Sequence, residues 1–215
     1  MIELRGVDVA IGAVGILRNV DLVLPPARFT GLVGRNGAGK TTLMRTIMGL
    51  LKPRAGMLSY EGRPLADHTY ERALAGIGYM PEDRRLVPDL SVQDNVLMPA
   101  WAGNRDDAQA RLEKIYDMIP EVRAFADRRA MQLSGGQQKL VALARALMGG
   151  TKVLLLDEPF EGVAPVLARR LAEVIANLKQ QGMSILLTES DLSHSRELLD
   201  TLYVIDRGEV RPGRL

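Results

Sequence analysis

Short apolar runs and longer periodic runs take turns along this chain. "RFTGLVG" (28–34) is a brief apolar stretch that runs straight into a glycine loop, and it predicts a strand. In "TTLMRTIMGLL", Leu43, Ile47 and Leu50/Leu51 recur at helical spacing and predict one buried helix face. "GIGYMP" (76–81) predicts another short strand, stopped by proline. Ser91 with Asp94 three residues on has the spacing of a capping box and opens a helix in "SVQDNVLMPAW". Residues 105–118 are charged and periodic. "SGGQQKLVALARALMGG" starts at an N-cap Ser134, places apolar residues at 140, 143/144 and 147, and ends at glycine.

A second strand–helix pattern begins at "KVLLLDEP". Four apolar residues in a row predict a strand buried on both faces, as in a parallel sheet. The next helix aligns Leu167, Leu171, Val174, Ile175 and Leu178 and ends at Gly182. "SILLT" (184–188) is a further buried strand, and "TLYVIDRGEV" reads as strand, turn and strand. Alternating strand and helix argues for an α/β sheet.

Composition narrows the class. The 215 residues suit one domain, or one domain with a subdomain. Aromatics are only 4%, so the core must be aliphatic. A net charge of +2 gives no large basic field and argues against nucleic acid as the main partner. With no cysteine, thiolate metal sites and Cys nucleophiles are excluded. The N-terminus "MIELRGVDVA" lacks the apolar core of a signal peptide, and no window approaches the ~18 apolar residues of a membrane span. A soluble chain is expected, with any membrane role carried by a partner. His68 and His194 lie in polar surroundings and are expected to face solvent.

The chemistry begins at Gly34-Arg35-Asn36-Gly37-Ala38-Gly39-Lys40-Thr41-Thr42, which fits G-x-x-x-x-G-K-[ST]. Glycines let backbone N–H groups turn inward around phosphate oxygens, and the following helix N-terminus adds positive potential. Lys40 offers a point charge to β and γ phosphates, and the Thr41 hydroxyl suits Mg²⁺. Asp157 and Glu158 end the "VLLL" strand, where open parallel sheets place ligands. The first acid is suited to hold Mg²⁺ through its water shell and the second to orient an attacking water. Between them, Leu133-Ser134-Gly135-Gly136-Gln137 is a second glycine-rich helix start that suits an anion.

In this order, the phosphate loop, "LSGGQ" and "VLLLDEP" resemble the ATP-binding subunit of an ABC transporter, over essentially the whole chain. "PEDRRLVPDLSVQDNV" and "EPFEGVAP" are most similar to the ATPases of branched-chain amino acid importers and their amide or urea relatives. The resemblance implies a P-loop α/β core at about 1–82 and 150–215, an N-terminal antiparallel β layer, and a helical subdomain at about 83–149. It implies ATP and Mg²⁺ as ligands, transmembrane permease subunits as partners, and a place on the inner face of the cell membrane. It also implies a second ATPase subunit, paired head to tail. Ser134, Gly135, Gly136 and Gln137 of one chain would then close over the ATP of the other.

Three positions depart from the family pattern. Ile11 stands where an aromatic usually stacks on adenine. Glu82 stands where the loop after "GYMP" usually carries glutamine, within reach of a metal. Ser190 stands where "SILLT" is usually followed by a histidine near the γ-phosphate. Ala164-Pro165 also replaces the usual aspartate in the loop after the catalytic acid. These changes fit two readings. One is drift within a branch that tolerates an acid at the glutamine position. The other is a slow or regulatory ATP clamp whose "LSGGQ" completes a partner's site. An ABC ATPase of repair or translation usually carries two such domains or long insertions, and neither is seen here. The short stretch after "YVIDRGEV" implies no C-terminal regulatory domain. The expected catalytic residues are Glu158 and Ser190, with Thr41, Asp157 and Glu82 at the metal.

Overall fold

A computed structural model describes residues 1–215. The chain opens with β1 (Ile2–Ile11), β2 (Val14–Leu24), β3 (Phe29–Val33), α1 (Lys40–Ile47), β4 (Ala55–Tyr60) and β5 (Arg63–Pro64). It continues through α2 (Thr69–Leu74), β6 (Ile77–Met80), α3 (Val92–Ala102), α4 (Ala108–Met118), α5 (Pro120–Ala124) and α6 (Gly135–Gly149). It closes with β7 (Val153–Asp157), α7 (Pro165–Gln180), β8 (Ser184–Glu189), β9 (Thr201–Asp206) and β10 (Glu209–Pro212).

Two sheets result. The antiparallel one has the order β2-β1-β4-β5 and is the N-terminal β layer. Ile2, Leu4, Val7 and Val9 of β1 are buried, with more exposed residues between them. The larger sheet has the order β10-β9-β3-β8-β7-β6 and is parallel except at its β10 edge. Every residue of β7 and β8 is buried. Along β7, Leu154 and Leu156 join the core shared with α6 and α7, while Val153 and Leu155 join the core shared with β1, β2 and α1. The period-two geometry of a strand thus divides one apolar run between two cores.

Several sequence expectations meet corrections. Helix α1 stops at Ile47, because Gly49 at φ 79 turns the chain away. Leu50 is therefore exposed and Leu51 only half-buried, instead of extending the helix face. At α3, Ser91 accepts from the Asp94 N–H at 3.0 Å, but the Asp94 carboxylate turns to the Ser91 hydroxyl at 2.6 Å rather than to its backbone. In α7, Ala168 is fully buried and Leu167 only partly. Residues 55–74, where the sequence pattern announced nothing, hold β4, β5 and α2. No helix is long and apolar enough to cross a membrane.

Register is what positions the site. Val33 pairs with Glu189, Asp157 with Thr188, and Met80 with Leu156. The carboxyl ends of β3, β8, β7 and β6 therefore lie at one edge. The loops that leave them carry Gly34, Ser190, Glu158 and Glu82.

Candidate active site

The phosphate loop is pinned at both ends. Gly34 N–H donates to the Glu189 carbonyl at 3.1 Å, and Ala38 N–H donates back to Arg35 at 3.1 Å. Gly39, at φ 115, turns the chain into α1; a Cβ there would stand 2.9 Å from Leu17 Cδ2. Only glycine combines that dihedral with that approach. The first N–H groups of α1 have no partner within the helix, and they carry the positive end of its dipole. Here a cavity of about 430 Å³ opens, walled by Asn36, Gly37, Gly39, Lys40, Thr41 and Thr42 from the loop, with Ile16, Glu82 and Glu158 opposite. Gly34, Arg35 and Ala38 face the neighbouring cavity beside the β9–β10 turn.

Lys40 lies almost wholly buried at the centre. Its Nζ donates to the Gly34 carbonyl at 2.5 Å, the Arg35 carbonyl at 3.1 Å and Ser190 Oγ at 3.2 Å. It also pairs with Glu158 Oε1 at 2.9 Å. The Ser190 hydroxyl has one proton to give, with Asn36 Oδ1 at 2.7 Å and Glu158 Oε1 at 2.9 Å as acceptors. Lys40, Glu158, Ser190 and Asn36 thus form one hydrogen-bonded cluster drawn from three loops. Glu158 takes φ 50, in the left-handed region that side chains rarely adopt. Its N–H is held by the Thr188 carbonyl and by Thr188 Oγ1, both at 3.2 Å.

Asp157 is fully buried beneath this cluster. Thr188 Oγ1 donates to it at 2.7 Å and Tyr79 Oη at 3.2 Å. Burial raises its pKa; hydrogen bonds from Thr188, Thr41 and Tyr79 oppose that, and the Glu158 charge adds to it. Burial and the Asp157 charge likewise push the Tyr79 phenol up, so it stays a donor. The donor set fits magnesium. Thr41 and Asp157 supply hard oxygens, and no group of three or more His, Cys, Asp or Glu side chains forms a closed metal cage. Mg²⁺ takes one or two protein oxygens and completes its shell with water and phosphate. Glu82 is exposed on the cavity wall rather than joined to Asp157.

Glu189, next to Ser190, is also buried, with Oε1 unpartnered. Burial and the Glu158 charge push its pKa up to about 8, although Lys139 opposes them, so the carboxyl keeps its proton near neutrality.

Two groups of expected site residues lie elsewhere. Ile11 is half exposed at the end of β1 and does not wall the cavity; the apolar residue there is Ile16 of β2. Ser134, Gly135, Gly136 and Gln137 begin α6 and do not reach the cavity of their own chain. Ser134 and Gln137 form a reciprocal capping box: Gln137 N–H reaches Ser134 Oγ at 3.3 Å, and Ser134 N–H reaches Gln137 Oε1 at 2.9 Å. Gly136 also has a packing reason, since a Cβ would meet Leu167 Cδ2 at 2.4 Å. Sequence reasoning missed Tyr79, Thr188 and Lys139. Thr188 follows the apolar run Ile185-Leu186-Leu187 of a buried strand, and Lys139 is a buried cation just before the apolar run Leu140-Val141-Ala142-Leu143. Those were the available signals.

Comparison with known proteins identifies the family. Residues 17–161, from β2 to the loop after Glu158, match the family described as ABC transporter. The high-affinity branched-chain amino acid transport ATP-binding protein BraG of Pseudomonas aeruginosa is 32% identical over 211 residues, covering 98% of this chain and 91% of its own. Other relatives are named for xylose and arabinose import, ferric ion import and lipopolysaccharide export. A nucleotide-free ATP-binding cassette from an ABC transporter superposes with a TM-score of 0.88 at 27% identity, over 100% of this chain and 91% of that one. A dimeric cassette in a post-hydrolysis state, bound to ADP and phosphate, gives 0.88 at 25% identity over the full length of both chains. This chain therefore belongs to the ABC transporter family, as one of its ATP-binding, ATP-hydrolysing subunits.

Proposed function

We propose that this chain hydrolyses Mg-ATP between two head-to-tail copies, or with a similar partner ATPase, to drive a permease. The observation that carries the reading is the meeting of Lys40, Glu158 and Ser190 within hydrogen-bonding distance above buried Asp157. Loop N–H groups from Gly37 to Thr42 hold phosphate, and Lys40 takes the β and γ oxygens. That contact draws Lys40 away from Glu158 and leaves the carboxylate to orient water. Thr41 and Asp157 would hold Mg²⁺, which neutralises phosphate charge when bound. Glu82, on the cavity wall, assists metal or water placement. Ser134, Gly135, Gly136 and Gln137 serve the partner's nucleotide. The chain then sits peripherally on the cytoplasmic face of the membrane, held by permease subunits.

Import of branched-chain amino acids or similar small polar solutes is the cargo reading. It rests on the branch motifs "PEDRRLVPDLSVQDNV" and "EPFEGVAP" and on the likeness to BraG. A slower regulatory clamp is the second reading. Ser190 favours it, because a hydroxyl spent on Asn36 and Glu158 replaces a donor aimed at phosphate.

Steady-state phosphate release by the purified chain, with ATP affinity by calorimetry, tests the proposal. Lys40→Ala removes charge-assisted contacts of about 1.5–3 kcal/mol each, so affinity should fall roughly ten- to a hundredfold. Unchanged affinity would remove the phosphate-loop assignment. Tight ATP binding without turnover would favour the clamp. Uptake of labelled leucine in cells with and without the gene tests the cargo; identical uptake in both removes it.

A further inference from the structure

Lys139 lies one turn inside α6, just past the glycines that open it, and its side chain is almost wholly buried. A buried ammonium has lost its hydration and needs partners. It finds them outside its own helix: Nζ donates to the Glu158 carbonyl at 2.8 Å and to the Glu161 carbonyl at 2.5 Å. Burial lowers its pKa, and the carboxylates of Glu161 and Glu158 oppose that. The peptide of Glu158 is therefore gripped from both sides, its N–H by Thr188 and its carbonyl by Lys139. Glu158 needs that grip, because φ 50 is a conformation its own side chain disfavours. The same dihedral aims its carboxylate at Lys40 and Ser190.

We propose that Lys139 is a positioning residue for hydrolysis: it ties the phosphate-facing helix α6 to the backbone of Glu158, so the helix that serves one nucleotide sets the catalytic carboxylate of the other. This rests on the head-to-tail reading above. Lys139 touches no nucleotide. It acts through the left-handed turn at Glu158, and a small movement of α6 is felt there because the side chain between them is enclosed. Misplacing a group by about 1 Å is enough to cost up to about a hundredfold in rate.

The test uses the purified full chain carrying Lys139→Met, which keeps the side-chain length and removes the donors. We expect kcat to fall ten- to a hundredfold, with the ATP dissociation constant and KM within about twofold of wild type. Lys139→Arg, which keeps the charge and several donors, should recover most of the lost kcat. In a Glu158→Gln background, Lys139→Met should add no further loss of turnover. Should the Met variant fail to fold, Lys139→Gln carries the same expectation, being polar but too short for the carbonyls. A folded Met or Gln variant with normal kcat overturns the proposal, as does a loss shared equally between kcat and ATP affinity. ATP-driven pairing is read separately, by sizing Glu158→Gln with and without Lys139→Met. Pairing with normal Lys139→Met turnover sinks the positioning role alone. No pairing in any condition removes head-to-tail pairing between two copies of this chain and the link between their sites with it.

Discussion

Ser190 sets the residue-scale question, because its hydroxyl lies within hydrogen-bonding distance of Lys40, Glu158 and Asn36 at once. A hydroxyl so engaged donates little to developing phosphate charge. A donor of that kind is worth about 10²–10³ in rate. Ser190→His should therefore raise turnover, by about tenfold because Glu82 and Ile11 still depart from the family pattern. ATP affinity should barely move, since the contact matters in the transition state. The gain should require Glu158. A flat rate in Ser190→His, with Glu158→Gln inactive, would mean that another group does the histidine's work, and buried Glu189 is the neighbour to test next. The phosphate loop and the acid pair were legible in the sequence because their chemistry is local. Thr188, Tyr79 and Lys139 were not, because each acts on a residue 30, 78 or 19 positions away. Only strand register and helix packing bring them together.

At the scale of elements, the placement of α6 depends on a close approach to β6. A Cβ on Gly78 would stand 2.2 Å from the Ala146 carbonyl oxygen and 2.7 Å from Gly150 N, both backbone atoms that cannot step aside. Gly78→Ala should therefore push α6 off the sheet. Overpacking of this kind costs about 1–3 kcal/mol, or a fall in Tm of roughly 2–12 °C at this size. Differential scanning calorimetry reads it, and an unchanged Tm would contradict the contact. The strands β3, β6, β7 and β8 and the helices α6 and α7 were readable from apolar runs and periodicity. The stretch holding β4, β5 and α2 was not. Its strands lie at or near a sheet edge with mostly exposed residues, and α2 is short, so neither period shows. The early end of α1 was hidden for the opposite reason, since apolar Leu50 and Leu51 continued the pattern past the glycine turn.

The whole molecule has two glycine-rich helix starts, at Gly39–Lys40 and at Ser134–Gly135, and only the first opens into the cavity of its own chain. The sequence could show that both existed but not where they stood. Their separation in the fold is what leaves the second open to the proposed role toward another chain. If two chains pair head to tail, each α6 closes over the phosphate held by its partner. Glu158→Gln should then trap the pair, since binding survives while water activation fails. Light scattering of that variant with ATP and Mg²⁺ should give about twice the 23.6 kDa of the single chain. Adding Gly135→Asp should return it to the single-chain mass, because a carboxylate would meet phosphate. A single-chain mass for Glu158→Gln at high concentration, with and without nucleotide, would contradict the account.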